Sequence, residues 1–159
     1  MTQGYSHIGM STHDMDATIA FYTRVLGFVR VADQVTSIRE GGQIRQVYFD
    51  LGRDEYLVFM EARDIASIPQ DYPTGINSAL GTPAGMYHLA FKVDTLEALQ
   101  AKRSELLGAG VDVSDCIDLG HAQSIFLADP NDLQIEFCWH SRPFRPEDLD
   151  RKDIASIAA

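Results

Sequence analysis

Two short stretches of the chain share one alternation of apolar and polar positions, and each carries a histidine on its polar side. In residues 86–93 the apolar positions begin at Leu89 and recur at every second residue, which leaves His88 on the other face. In residues 5–12, Ile8 begins the apolar set and His7 has the other parity. A period of two is typical of a strand with one packed face. We therefore predict two strands that point a histidine toward solvent or a cavity.

A helix and three further strands are predicted after the first of these strands. The helix covers residues 14–26, with Asp14 or Asp16 available as N-cap and Gly27 placed to end it in a left-handed turn. The predicted strands are residues 28–32, 43–51 and 56–60.

The same order returns in the second half of the chain. A helix opened by Asp94 or Thr95 and closed by Gly108 is followed by predicted strands at 111–113, 124–128 and 133–139. The apolar positions of this helix are Leu96, Leu99, Leu106 and Leu107. His7 and His88 are 81 residues apart, as are Gly27 and Gly108. This shared offset predicts an internal duplication of one strand-helix-three-strand unit.

The duplication predicts a single domain at 1–140, which consists of a first module at 3–61, a connecting segment at 62–85 and a second module at 86–140, and a tail follows at 141–159. The segment 62–85 is rich in Pro and Gly and long for a connection, which favours a linker or a functional lid. The tail carries prolines and a charged run, which indicates an arm on the surface or across a partner subunit.

Composition restricts the function classes. The chain has 159 residues and a formal net charge of -10, without clustered Lys and Arg, which argues against nucleic acid and anionic membranes as partners. No run is long and apolar enough to span a bilayer and the N-terminus lacks a secretion signal, so we expect a cytoplasmic protein. Its two cysteines, Cys116 and Cys138, are expected to be buried reduced thiols.

Glu136 is the charged residue that needs an explanation. It lies in the predicted strand 133–139, whose other parity is apolar, and a lone buried carboxylate costs several kcal/mol unless it is paired or binds a metal. If the two modules line one cavity, Glu136 meets His7 and His88 there. Two imidazoles and one carboxylate suit non-haem Fe(II), and also Mn, Ni or a catalytic Zn.

Three stretches carry a resemblance to a known family: "SHIGMSTHDMDATIAFYTRVLGF", "YHLAFKVDTLEALQ" and "SIFLADPNDLQIEFCW". Over residues 3 to 140 the chain resembles the vicinal oxygen chelate superfamily, which includes glyoxalases, bleomycin and fosfomycin resistance proteins and extradiol dioxygenases. The resemblance implies an α+β fold of two tandem βαβββ modules whose mixed sheets form a cup around a divalent metal. The ligand positions of the family fall on His7, His88 and Glu136.

Departures from the family pattern keep the subclass open. Glyoxalases usually have a fourth ligand on the last strand of the first module, but that strand is apolar here until Glu61, which favours a dioxygenase. The dioxygenase signature is only partly met, because Phe126 stands where a tyrosine is usual and Asp132 where a glycine is usual. The cationic and hydroxyl residues of fosfomycin resistance enzymes are not evident.

The sequence therefore predicts a metal-dependent enzyme, most consistent with ring-cleaving dioxygenases, with Fe(II) as the favoured metal. A glyoxalase-like lyase or isomerase, a metal-free protein that sequesters a small drug molecule, and a structural dimer module are the alternatives. We expect a homodimer with a small-molecule substrate. His121 is the candidate acid–base group. The candidate substrate contacts are Arg45, Gln46, Tyr48, Cys138 and His140.

Overall fold

The computed structural model describes residues 4–150 and divides them into two compact units. Unit one comprises the chain up to Ala84 together with Asp129–Leu133. Unit two comprises Gly85–Ala128 and the chain from Gln134 onward. The loop 129–133 thus connects two strands of unit two but packs with unit one.

Unit one is a four-stranded mixed sheet with two helices. Its elements are β1 (His7–Ser11), α1 (Met15–Ala20, continued by a π-helical turn at Phe21–Val25), β2 (Val29–Ser37), β3 (Gln43–Gly52), β4 (Glu55–Arg63) and α2 (Ile76–Leu80). The strand order is β1-β4-β3-β2, with β1 parallel to β4 and the other pairs antiparallel.

Unit two repeats this order with different strand lengths. Its elements are β5 (His88–Lys92), α3 (Leu96–Gly108), β6 (Ile117–Asp118), β7 (Ala122–Ala128), β8 (Gln134–His140) and a 3-10 turn (Pro146–Leu149). The strand order is β5-β8-β7-β6, again with only the first pair parallel. The predicted fold class, α+β with two βαβββ modules, is confirmed.

The helix starts were predicted correctly, whereas one helix end and one strand were not. Asp14 and Thr95 are the N-caps, and each side chain accepts a hydrogen bond from the backbone three residues on. Gly27 has the predicted left-handed φ of 78°, but Gly108 is helical, and the left-handed residue that follows α3 is Gly110. Leu107 is exposed because it lies about 100° around the helix from the buried Leu106.

The predicted strand at 111–113 forms only a single bridge, from Val113 to Leu127, and β6 takes its place in the sheet. Side chains explain the early end of the pairing. Arg103 donates to the Ser114 carbonyl at 2.7 Å, and the Ser114 hydroxyl accepts from the Phe126 N–H at 2.9 Å. These contacts use backbone groups that a longer ladder would pair.

Tyr22 is the centre of the unit one core. Its ring is fully buried, with centroids 5.2 Å from Phe49 and 4.8 Å from Phe59. Its hydroxyl donates to Asp129 at 3.1 Å, and Asn131 donates to Thr18 at 3.2 Å. Burial raises the pKa of Tyr22 and also the pKa of Asp129. The loop 129–133 is therefore held in unit one by polar contacts to α1 and its extension.

Residues 62–84 of the predicted linker or lid also belong to unit one, and they contain the helix α2, which sequence reasoning missed. A Cβ added to Gly75 would come within 2.7 Å of the Asp132 carbonyl oxygen, so glycine permits this close approach. The Thr74 hydroxyl donates to the Asn131 carbonyl at 3.0 Å, and His13 lies 2.6 Å from the Tyr72 carbonyl. None of the helices within residues 4–150 has the length and apolar character needed to cross a bilayer.

Candidate functional site

Strand register places His88, Ala90 and Glu136 on one face of the unit two sheet. Ala90 pairs with Glu136 across β5 and β8, and Glu136 pairs with Phe126 across β8 and β7. Because paired residues point to the same face and alternate residues share it, His88 belongs to this set. The parity predicted for His88 is confirmed: His88 is exposed while Leu89 and Phe91 are partly buried.

His88 and Glu136 are in direct contact. The His88 Nε2 lies 3.0 Å from the Glu136 Oε2. On the far side of the ring, Nδ1 lies 2.8 Å from the Gly85 carbonyl oxygen. A carbonyl can only accept, so this contact assigns a proton to Nδ1 and leaves Nε2 directed at the carboxylate.

Glu136 is buried and held from a second direction. Only 5% of the residue is exposed. The hydroxyl of the fully buried Ser124 donates to the Glu136 Oε1 at 2.5 Å. With Oε1 occupied in this way, Oε2 is the oxygen that faces the histidine.

The Nε2 to Oε2 contact requires a proton or a cation between the two atoms. With Nδ1 protonated, a neutral imidazole would turn the Nε2 lone pair toward an ionised oxygen at 3.0 Å, which is repulsive. Either a proton shared between the ring and the carboxyl group or a cation bound by both atoms relieves this repulsion. A histidine whose other nitrogen is hydrogen-bonded to a carbonyl, next to a buried carboxylate, is a common arrangement for metal ligands. The donor set therefore fits a divalent metal.

His7 lies at the matched position of unit one. It is exposed, pairs with Tyr56 across β1 and β4, and has Nδ1 3.2 Å from the Ser6 hydroxyl. A Cβ added to Gly9 would lie 3.3 Å from the Met60 side chain, so the space beside His7 is bordered by a flexible group.

Unit one has no carboxylate at the position of Glu136. Gly9 pairs with Val58 as Ala90 pairs with Glu136, so Val58 is the counterpart. Glu61 has the opposite parity and accepts from the Met15 N–H at the start of α1, at 3.3 Å. It is 4% exposed, and Arg63 approaches its Oε2 to 2.8 Å without the alignment of a hydrogen bond. Glu61 therefore stabilises the helix start and does not share the His7 face.

The structure brings together two of the three predicted ligands, His88 and Glu136, within unit two, whereas His7 belongs to unit one. Among residues 4–150, no group of three or more His, Cys, Asp and Glu side chains is arranged to hold a metal ion. The three-ligand set stays a prediction.

The predicted acid–base residue, His121, lies at the other end of the unit two sheet. Its ring centroid is 4.8 Å from Phe144 and 5.6 Å from His140. His140 is four residues from Glu136 along β8, a distance of about 13 Å at the usual rise of a strand. The structure therefore groups His121 with His140 and Phe144, and not with Glu136.

The predicted substrate contacts on β3 divide between the two faces. Arg45 has the parity of the buried Val47 and forms ion pairs with Asp33 at 2.8 Å and Asp16 at 3.0 Å. These carboxylates raise the pKa of Arg45 far above its usual value, and Arg45 in turn lowers the pKa of Asp33.

Gln46 and Tyr48 lie on the face of Val58, and the Tyr48 hydroxyl donates to the Gln46 side chain at 3.2 Å. They share the His7 face of unit one, whereas Arg45 does not.

Both cysteines are free, but only Cys138 is buried. Cys116 is exposed, with its thiol 3.4 Å from the Gln123 side chain, so the expectation of two buried thiols is wrong for Cys116. Cys138 shares the face of Glu136, and burial raises the pKa of its thiol.

Sequence reasoning missed Ser124 and Gly85. Ser124 is a polar residue in a strand that is otherwise mostly apolar, which is a weak signal. Only the register of β7 with β8, where Ser124 pairs with Cys138, brings its hydroxyl to the neighbouring Glu136. Gly85 contributes a backbone carbonyl, for which no side chain gives a signal.

Comparison with known families gives one match over most of the chain. The model described as "Glyoxalase/Bleomycin resistance protein/Dioxygenase superfamily" matches residues 4–137. The search of curated proteins finds no match.

Solved structures with the same fold belong to proteins with different functions. An antibiotic-binding protein from Streptomyces sp. has 19% identity and a TM-score of 0.61, covering 88% of this chain and 98% of its own. A lactoylglutathione lyase from Agrobacterium tumefaciens has 17% identity and a TM-score of 0.61, covering 87% and 95%.

A fosfomycin resistance protein from Listeria monocytogenes has 17% identity and a TM-score of 0.59, covering 89% and 96%. At these identities the likeness extends to the fold alone.

Proposed function

The chain belongs to the glyoxalase/bleomycin resistance protein/dioxygenase superfamily, and from that premise we propose that it is a divalent-metal-dependent enzyme acting on a small substrate with adjacent oxygens. His88 and Glu136 of unit two and His7 of unit one are the proposed ligands. Fe(II) is the favoured metal, with Mn, Ni and Zn as alternatives.

The contact between His88 Nε2 and Glu136 Oε2 supports this proposal most strongly. Each of the two side chains is oriented by a second contact, His88 by the Gly85 carbonyl and Glu136 by the Ser124 hydroxyl. A bound divalent ion would supply Lewis-acid chemistry at vicinal oxygens of the substrate. The role of this chain is to hold two donors in fixed orientation on a face that also carries Phe126 and Ala90.

Within the proposal, a dioxygenase of the extradiol type is favoured over a glyoxalase-like lyase or isomerase. Val58, not a carboxylate, is the unit one counterpart of Glu136. A three-ligand set leaves more coordination positions for small molecules than a four-ligand set. The acid–base role of His121 stays a prediction, because the ring lies near His140 and not near Glu136.

Metal analysis of protein purified without chelator tests the proposal. We expect about one divalent ion per subunit in the wild type, and loss of that ion in Glu136→Gln, which keeps shape and removes charge. Glu61→Gln is the matched control, because Glu61 is an equally buried carboxylate on the helix side of unit one. Equal metal content in wild type and Glu136→Gln would refute the ligand role.

Oxygen uptake with a set of catechols separates the subclasses. Consumption that requires Fe(II) supports the dioxygenase, whereas a metal-loaded protein that consumes no oxygen but isomerises a hemithioacetal supports the lyase or isomerase.

A mixing experiment tests the proposed homodimer and the origin of His7. If the site is shared between subunits, mixing inactive His7→Ala with inactive Glu136→Ala restores about a quarter of wild-type activity, because half of the random dimers are mixed and each has one intact site. If each chain builds its own site, no mixture is active.

A metal-free binding protein is the second candidate. The contact between His88 Nε2 and Glu136 Oε2 also favours this candidate, because a doubly protonated His88 forms a complete ion pair with Glu136 without any metal. Binding of a small aromatic ligand with unchanged affinity after chelator treatment, in protein that holds no metal, would select this candidate.

A further inference from the structure

Unit two contains a cleft where β5 and β8 end and the chain turns back over them. Its volume is about 620 Å³, within the range of small-molecule sites. Lys92 is the last residue of β5, Trp139 and His140 close β8, and Arg142 and Phe144 form the returning wall.

This cleft is separate from the His88–Glu136 pair. Its lining contains neither residue, nor Ser124. Along β8, Glu136 precedes His140 by four residues, about 13 Å. A ligand in the cleft therefore does not require the proposed metal site.

An exposed aromatic side chain, Phe144, gives the cleft a surface for a planar ring. Trp139 is partly buried, and Phe144 is 64% exposed although it is large and apolar. Phe144 is supported from one side by His121 at 4.8 Å and His140 at 5.7 Å between ring centroids. An exposed phenyl ring held in place by two imidazoles is pre-organised for stacking.

One cation of the lining is available to an anion. Lys92 and Arg142 are the cations of the lining, and Asp94 is its carboxylate. Arg142 is fixed by Asp148, with contacts of 2.5 and 2.9 Å. Among residues 4–150 no salt bridge involves Lys92, and the residue is exposed. Lys92 is thus the group available to a carboxylate.

We propose that this cleft is a binding site for an aromatic carboxylate, with the ring stacked on Phe144 and the carboxylate at the Lys92 ammonium group. The ring supplies apolar contact with Phe144, and the charged contact sets the preference for an anion over a neutral or cationic analogue.

Trp139 is the only tryptophan of the chain, so its fluorescence reports on the cleft. Benzoate is the probe, and benzyl alcohol and benzylamine are its neutral and cationic analogues. Calorimetric titration accompanies the fluorescence in case the emission does not respond. We expect saturable benzoate binding, with affinity at least about tenfold above that of benzylamine, as one well-placed charge contact provides.

Substitutions identify the side chains that bind benzoate. Lys92→Ala is expected to weaken benzoate binding about tenfold and to abolish the preference over benzyl alcohol. Lys102→Ala removes the same charge from α3, outside the lining, and is expected to leave binding unchanged. Glu136→Gln is also expected to bind benzoate normally, which separates this site from the proposed metal site.

The absence of saturable benzoate binding, equal affinities for benzoate and benzylamine, or equal effects of Lys92→Ala and Lys102→Ala would each overturn the proposal.

Discussion

The two units share one topology but differ in what they present at matched positions. Gly9 pairs with Val58 in unit one, and Ala90 pairs with Glu136 in unit two. One strand further, Tyr48 of unit one corresponds to Phe126 of unit two. The duplicated backbone therefore positions a histidine in both units, whereas the carboxylate ligand depends on a single residue in one strand.

A change of residue type at either of these two positions is expected to lower stability, because both positions are buried. Val58 is 3% exposed and Glu136 is 5% exposed, so both positions are removed from water. Glu136 is satisfied there by Ser124 and His88. A carboxylate at 58 would have no matching hydroxyl, because the unit one counterpart of Ser124 is Gln46, whose side chain already accepts from Tyr48.

Val58→Glu is therefore expected to have the largest effect. The lone buried carboxylate should lower the free energy of unfolding by about 3 kcal/mol or more. Because the substitution recreates in unit one the histidine and carboxylate pair of unit two, added Mn²⁺ should recover part of the loss. Urea unfolding with and without MnCl₂ measures both effects.

Val58→Gln is the control for that experiment, since it is polar but uncharged. It should lose less stability and should not respond to Mn²⁺. Full stability of Val58→Glu without metal would show that a carboxylate at position 58 is not removed from water as Glu136 is.

Ser124→Ala is expected to have the next largest effect. It leaves the Glu136 Oε1 buried without its donor, which should cost about 1–3 kcal/mol of stability. Loss of the group that orients a ligand should also weaken metal binding by about 10–100-fold. Competition with a chromophoric chelator measures the affinity, and urea unfolding measures the stability.

Gln46→Ala, the substitution at the matched position of unit one, is the control and should leave metal affinity unchanged. If Ser124→Ala were destabilised but bound metal as the wild type does, the hydroxyl would be structural and would not position the ligand.

The sequence correctly predicted those features of the fold that depend on residues close together in the chain. The period-two alternation around His88 gave its face, and the capping residues Asp14 and Thr95 gave both helix starts. The end of α3 was misplaced because two glycines, Gly108 and Gly110, lie close together there and only the second has a positive φ.

Features that depend on distant parts of the chain were not predictable in this way. The hydrogen bond from Ser124 to Glu136 exists only because β7 and β8 pair in one register. The placement of the loop 129–133 in unit one depends on Tyr22, which is over 100 residues away in sequence and donates to Asp129. The number of residues between corresponding positions of the two units also changes along the chain. Gly9 and Ala90 are 81 residues apart, but Val58 and Glu136 are 78 residues apart.

Unit one alone has a long segment after its last strand, which packs against the loop 129–133. The substitution Gly75→Ala tests how much this packing contributes to stability. A Cβ at this position would lie 2.5 Å from the Asp132 side chain and 2.7 Å from its carbonyl oxygen. Since the backbone contact cannot rotate away, we expect a loss of about 1–3 kcal/mol in the free energy of unfolding.

Gly108→Ala in unit two is the matched control, because Gly108 is helical and a Cβ there would meet nothing within 4 Å. Alanine should raise stability by about 0.5–1 kcal/mol through its better helix propensity. Opposite signs for the two substitutions in urea unfolding would establish that the segment is packed against the loop. A neutral Gly75→Ala would mean that the segment moves away at little cost, as the lid predicted from the sequence would.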